Sequence, residues 1–130
     1  MIWADNIEER TKENSTFRTV LWTGKHSQLT VMSIEPGEDI GVEKHDDVDQ
    51  FLRIEAGKGQ VQAGKAKSKL TEKVDVEADW AFIIPAGTWH NVVNTGTEPL
   101  KLYSIYSPAN HPKGTVHRTK ADAEKAEASH

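Results

Sequence analysis

Residues 79–94 read D-W-A-F-I-I-P-A-G-T-W-H-N-V-V-N, and the fold turns on how the first half is taken. The run W-A-F-I-I-P is continuously apolar. As a helix it would have to stop almost at once, because Pro85 lacks an amide hydrogen and Gly87 follows two residues on. As a strand buried on both faces it is fully accounted for. The second half, T-W-H-N-V-V-N, is another strand candidate, carrying His90 and ending at Thr95-Gly96. The stretch predicts two short strands joined by a P-A-G turn.

The same style of segment recurs on both sides. F-R-T-V-L-W-T (17–23) precedes Gly24, Q-L-T-V-M-S-I-E-P (28–36) ends at Pro36-Gly37, and F-L-R-I-E-A-G (51–57) ends at Gly57. Q-V-Q-A-G (60–64) follows so closely that a hairpin around Gly57-Lys58-Gly59 is expected. K-L-T-E-K-V-D-V-E-A (69–78) and P-L-K-L-Y-S-I-Y-S (99–107) complete eight candidates at roughly 8–12-residue spacing, the pattern of a β-sandwich or barrel. Residues 1–16 predict an N-terminal arm with a short helix or edge strand. Residues 17–108 form the barrel. Residues 109–130 form a tail whose T-K-A-D-A-E-K-A-E-A (119–128) predicts a short helix capped by Thr119.

Composition narrows the function classes. With 130 residues the chain suits one domain, and a hydrophobic share of 36% beside 28% charged residues predicts a folded globular protein. The net charge of −4 argues against the basic footprint of a nucleic-acid binder. The chain has no cysteine, which removes disulfides and thiolate metal sites. No apolar run approaches the ~18–20 residues that span a bilayer, and M-I-W-A-D-N-I-E-E-R does not read as a signal peptide. The expectation is a cytoplasmic protein that binds neither nucleic acid nor membrane.

The chemistry-bearing residues lie in two places. In D-I-G-V-E-K-H, Glu43 and His45 are two apart and share a face if the stretch is extended, while Lys44 points away. After the turn D-D-V-D (46–49), Gln50 opens the next strand and can sit beside that pair across a hairpin, with Asp49 as the competing donor. His90 arrives from a distant strand. Two imidazoles, a carboxylate and an amide oxygen suit a divalent metal. A calcium loop built from Asp46, Asp47 and Asp49 lacks the required pattern.

These residues resemble the two motifs of the small single-domain cupins. The first, G-x5-H-x-H-x3–4-E-x6-G, is matched by Gly37, Glu43, His45, Gln50 and Gly57. The second, G-x5-P-x-G-x2-H-x3-N, is matched by Asp79, Pro85, Gly87, His90 and Asn94. All spacings fit. Glutamate replaces the first ligand histidine, glutamine replaces the usual glutamate, and aspartate replaces the glycine that opens the second motif. The resemblance implies an all-β jelly-roll barrel with a short C-terminal helical tail and one divalent metal held by Glu43, His45, Gln50 and His90. The double exchange leaves the ligand charge unchanged and hardens the donor set, which favours zinc or manganese over iron or nickel. In donor types it is similar to the phosphomannose isomerase branch, and a homodimer is implied by resemblance.

Further expectations concern single residues. Leu52, Ile54, Val92, Leu102, Ser104 and Tyr106 face the interior, and Tyr106 offers either a substrate contact or a buried hydroxyl. Asn94 closes a turn rather than ligating. Trp80 and Trp89 are packing residues. His111, Lys113, His117 and Arg118 form a solvated connector, or an anion site if the tail covers the mouth. Three functions follow: a metal-dependent isomerase on a small oxygen-rich substrate, with Glu43 and Tyr106 as catalytic candidates; an Fe(II)-dependent dioxygenase; and a non-enzymatic binding or sensor cupin.

Overall fold

The computed structural model describes residues 2–128. The chain opens with helix α1 (Ile7–Glu13), capped by Asn6, whose side chain accepts the Glu9 amide at 3.0 Å. The strands follow as β1 (Arg18–Thr23), β2 (Gln28–Ile34), β3 (Asp49–Ala56), β4 (Lys58–Gly64), β5 (Glu72–Glu77), β6 (Ala81–Ile84), β7 (Trp89–Asn94), β8 (Leu100–Ser107) and β9 (Val116–His117). Helix α2 (Lys120–Ala128) ends the described chain. The strands form two antiparallel sheets, one in the order β6-β3-β8-β2-β1-β9 and one in the order β5-β4-β7. The result is an all-β barrel with a C-terminal helix, as the strand pattern, the Thr119-capped tail and the resemblance together imply.

Alternation along paired strands builds the interior in rows, because side chains two apart share a face and register partners stand side by side. Ile34 pairs with Leu100, and Met32, Leu102 and Ile54 form the next row. Thr30, Ser104 and Leu52 follow, then Gln28, Tyr106 and Gln50. The barrel therefore has an apolar end and a polar end. The apolar end is the core, with Ile34, Ile54, Leu100 and Leu102 all fully buried. Each such side chain contributes about 1.5–3 kcal/mol by leaving water.

Two expectations are corrected. β3 and β4 are not a hairpin, since β3 pairs with β6 and β8 while β4 pairs with β5 and β7. The chain crosses between sheets at Gly57, where φ is +92°. A Cβ there would lie 2.8 Å from the Pro99 carbonyl oxygen and 3.0 Å from Leu100 Cα, so the corner is tight as well as left-handed. Nor is W-A-F-I-I-P buried on both faces. β6 is the outermost strand of its sheet, with Ile84 inside but Ile83 64% and Trp80 49% exposed. Trp80 is therefore not a core packing residue, and the half-buried Trp89 carries the Lys44 ammonium 5.2 Å above its ring.

The ends of the chain close the barrel. α1 packs against β8, β3 and β2, with Thr11 fully buried. Thr119 caps α2 by accepting the Asp122 amide at 3.1 Å. The helix docks through Ala123, which joins the core, and through an ion pair from Lys120 to Asp39. The tail also supplies β9, a two-residue strand on β1 that its turn-rich sequence does not announce.

Asp79 occupies the left-handed region with φ +74°, where the motif it resembles has glycine. A non-glycine residue there costs roughly 1–2 kcal/mol, partly offset by the entropy glycine loses on folding. Asp79→Gly is expected to stabilise the fold by about 0.5 kcal/mol, read as a higher denaturant midpoint; a lower midpoint would show that the exposed Asp79–Arg53 contact at 3.2 Å outweighs the strain.

Candidate metal centre

The segment from Gly37 to His45 is mostly irregular, yet it runs antiparallel to β7. Ile40 donates to the Val92 carbonyl at 3.1 Å, and Glu43 and His90 exchange both backbone hydrogen bonds at 2.9 Å. The Gly87 amide reaches the His45 carbonyl at 2.8 Å, so the P-A-G turn fixes His45 directly. This corrects the expected hairpin between the Glu43–His45 pair and Gln50. The pair belongs beside β7, and Gln50 lies in the other sheet, in register with Tyr106.

Glu43, His45 and His90 converge, with one ligand atom from each lying within 4.8 Å of the others. Glu43 Oε1 is 3.3 Å from His45 Nε2 and 3.5 Å from His90 Nε2. His90 is fully buried, and its Nδ1 lies 3.0 Å from the Thr88 carbonyl. A carbonyl only accepts, so Nδ1 carries the proton and the Nε2 lone pair faces the cluster. His45 Nε2 and His90 Nε2 are both buried without a hydrogen-bond partner of acceptable geometry. Burial pushes the Glu43 carboxyl up, but the closeness of the His45 and His90 rings more than offsets it and brings its pKa down to about 2.

Gln50 is 2% exposed, and its Oε1 is buried with no partner. It stands in register with Tyr106, whose ring packs edge-on against His45 with centroids 6.0 Å apart. Asp49 points outward and accepts the Ala86 amide at 2.9 Å, fastening the P-A-G turn. Strand parity thus puts Gln50 inside and Asp49 outside. Buried nitrogen and oxygen acceptors left unpaired are costly in a folded chain. Two imidazole nitrogens beside the Glu43 carboxylate, with the Gln50 oxygen in the same polar end of the interior, fit a divalent cation, which needs lone pairs and no donors.

Tyr106 is 1% exposed, and its hydroxyl lies 3.3 Å from His111 Nε2. Burial raises its pKa, so it remains a phenol. His111 comes from the tail and is held by Gln28, whose Oε1 accepts the His111 amide at 3.0 Å and whose Nε2 donates to the His111 carbonyl at 2.7 Å. Burial, with help from the Arg18 charge, lowers the His111 pKa to about 3, which keeps the ring neutral. The tail is therefore no solvated connector at His111 and His117, although Lys113 and Arg118 are exposed.

Asn94 shares the inward face with His90 but sits at the apolar end, outside the donor cluster. Its Nδ2 donates to the Ile34 and Glu98 carbonyls, each at 2.8 Å, and its Oδ1 accepts the Gly96 amide at 2.9 Å. A cleft of about 310 Å³ between β5 and β6 flanks the polar end, lined by Val74, Ile83 and Phe82 and by Ala63 and Ile84, the register partners of His90 and Gln50.

A two-sheet antiparallel barrel with a histidine–carboxylate cluster at one end defines a small barrel protein with a candidate metal site. The chain belongs to the cupin family: the Cupin_2 (cupin domain) model matches residues 30–106. It is 64% identical over 122 residues to the uncharacterized protein YrkC of Bacillus subtilis (strain 168), covering 94% of this chain and 66% of that one. It is 45% identical over 116 residues to the uncharacterized protein L612 of Acanthamoeba polyphaga mimivirus, covering 88% and 71%. The chain thus spans about two thirds of the length of these two relatives. The crystal structure of BH2720 from Bacillus halodurans is similar throughout, with 58% identity, a TM-score of 0.93, and coverage of 95% of this chain and 93% of that one. Among the described residues no helix is long and apolar enough to cross a membrane.

Proposed function

We propose that the chain is a metal-dependent cupin that binds a small oxygen-rich substrate at the polar end of the barrel and performs isomerase-type chemistry on it. The observation that carries this reading is the convergence of His45 Nε2, His90 Nε2 and Glu43 Oε1, with the buried, unpartnered Gln50 Oε1 as the proposed fourth donor. A bound divalent ion, zinc or manganese by donor hardness, would supply Lewis-acid polarisation to adjacent hydroxyl and carbonyl oxygens. The remaining work falls to the chain. Both histidines meet Glu43 through Oε1, which leaves Oε2 to take the proton from the hydroxyl-bearing carbon and return it to its neighbour. The substrate's hydroxyl hydrogen then moves to the former carbonyl oxygen, so the two isomers balance without an oxidant. Tyr106, whose hydroxyl lies 3.3 Å from His111 Nε2, orients the substrate hydroxyl through its oxygen.

The test is deuterium exchange under nitrogen. Zinc- and manganese-loaded protein is incubated in D2O with a panel of aldose and ketose phosphates and of 2-hydroxy and 2-keto acids. Incorporation at a carbon-bound position supports the reading, and Tyr106→Phe should slow it roughly 10–100-fold, as loss of a contact that positions the substrate would. No exchange by metal-loaded wild type for any member of the panel contradicts it. A second reading, an Fe(II)-dependent dioxygenase, is favoured by the same two-histidine, one-carboxylate set. Oxygen uptake confined to iron-loaded protein would replace the isomerase reading with this one. We also propose a homodimer through the β5 and β6 edges, where Val74 and Ile83 are exposed beside one cleft; a monomer in sedimentation equilibrium would remove it.

A further inference from the structure

Arg18 is 2% exposed, and no carboxylate forms an ion pair with it among the described residues. It is the one arginine or lysine in the buried class among those residues. Burying a cation without a counter-ion costs a great deal unless something arrives to neutralise it. Its strand parity explains the burial: Arg18 shares the inward face with Val20 and stands in register with Met32 and His117. Its guanidinium packs over the Phe17 ring at 5.3 Å and donates through Nη1 to His117 Nδ1 at 3.3 Å. Nε is buried with no partner.

Among the described residues no carboxylate stands within ion-pair distance of Arg18, although the charges of Glu127 and Asp122 on α2 reach its neighbour His117. His117 and His111 face one another with ring centroids 6.5 Å apart, and the rings of His111 and Tyr106 are 5.1 Å apart. Tyr106 in turn packs against His45 of the donor cluster. A continuous polar path thus runs from Arg18 through His117, His111 and Tyr106 to the candidate metal centre. Tyr106 feels both the positive charge of Arg18 and the negative charge of Glu43.

We infer that Arg18 is the anion receptor of the barrel, binding the carboxylate of a small hydroxy or keto acid whose other oxygens point toward the Glu43–His45–His90 cluster. The inference rests on the barrel interior being the binding site and narrows its substrate from oxygen-rich molecules in general to acids. A carboxylate fits better than a phosphate dianion, since the interior offers one buried guanidinium, whose fork matches a carboxylate's two oxygens. The neutral His117, with its pKa lowered by burial and by Arg18 itself, adds no second charge.

The experiment is titration calorimetry of glycolate, lactate and pyruvate, with glycolamide, lactamide and pyruvamide as uncharged counterparts. Wild type, Arg18→Met and Arg18→Lys are compared, each zinc-loaded and metal-free, with zinc content and melting temperature measured first. The expected result is that wild type binds at least one acid and binds its amide at least tenfold more weakly. Arg18→Met should lose that preference, Arg18→Lys should keep part of it, and Arg18→Met should bind zinc equally and melt no lower. A counter-ionless buried cation is replaced by an apolar chain of similar length at no cost to the fold. Equal acid binding by Arg18→Met, a markedly lower melting temperature for it, or no preference for acid over amide in wild type would each overturn the inference. Arg18-dependent acid binding by protein that takes up no metal would leave the receptor standing and remove the metal reading. Metal uptake without acid binding would do the reverse.

Discussion

Asn94→Ala is expected to destabilise the barrel by about 3 kcal/mol, seen as a lower denaturant midpoint with an unchanged slope. Asn94 is 2% exposed and ties three chain segments together: the end of β2 at Ile34, the turn at Gly96 and the carbonyl of Glu98. Alanine would leave two carbonyls and one amide short of a partner in the interior, each worth roughly 1–3 kcal/mol when left unsatisfied. Asn94→Asp should be no milder, because a carboxylate facing the Ile34 and Glu98 carbonyls keeps the acceptor and loses the donor. Metal affinity should be unchanged, since Asn94 lies at the opposite end of β7 from His90. A loss below about 1 kcal/mol would mean that water replaces the side chain.

The second large effect is on metal binding. Glu43→Gln removes the charged donor that both histidines face, and the expected fall in zinc or manganese affinity is about 100-fold or more, the upper range seen when even a supporting group is lost. Thermal unfolding reads it directly. At free metal about 100 times its dissociation constant, wild type gains ~2.7 kcal/mol, whereas a variant bound 100-fold more weakly gains ~0.4 kcal/mol at the same concentration. Equal gains in the two proteins would take Glu43 out of the site.

The strands were legible because alternation and turn residues are local properties. R-T-V, Q-L-T-V-M-S-I and L-Y-S-I-Y-S each carry an inward set at period two; the buried residues of β1 and β8 follow it, whereas β2 is buried on both faces from Thr30 to Ile34. The spacing of Glu43, His45 and His90 was legible for the same reason, and the parity of D-Q-F-L-R-I separates Gln50 from Asp49. Which strands pair is a tertiary matter. Nothing near Gly57 distinguishes a hairpin from a corner until Pro99 and Leu100 close against it. W-A-F-I-I-P reads as a central strand because apolar composition does not report whether a neighbouring strand covers the outer face. His111 and His117 stand out as residues, but a turn-rich tail without periodicity does not say which way they face, and the Gln28 side chain turns that segment inward. Arg18 did carry a signal, its shared parity with Val20, but charge outweighs parity when a short strand is read alone.

The central claim is that Glu43, His45, Gln50 and His90 hold one divalent ion inside this barrel. It is tested most directly by the metal content of protein purified without an affinity tag, for wild type, His90→Ala and Asp49→Ala side by side. The account predicts about one transition metal per chain in wild type and in Asp49→Ala and next to none in His90→Ala, as three-plus-one ligation requires. Wild type that stays metal-free after reconstitution, or His90→Ala that retains a full complement, would contradict it.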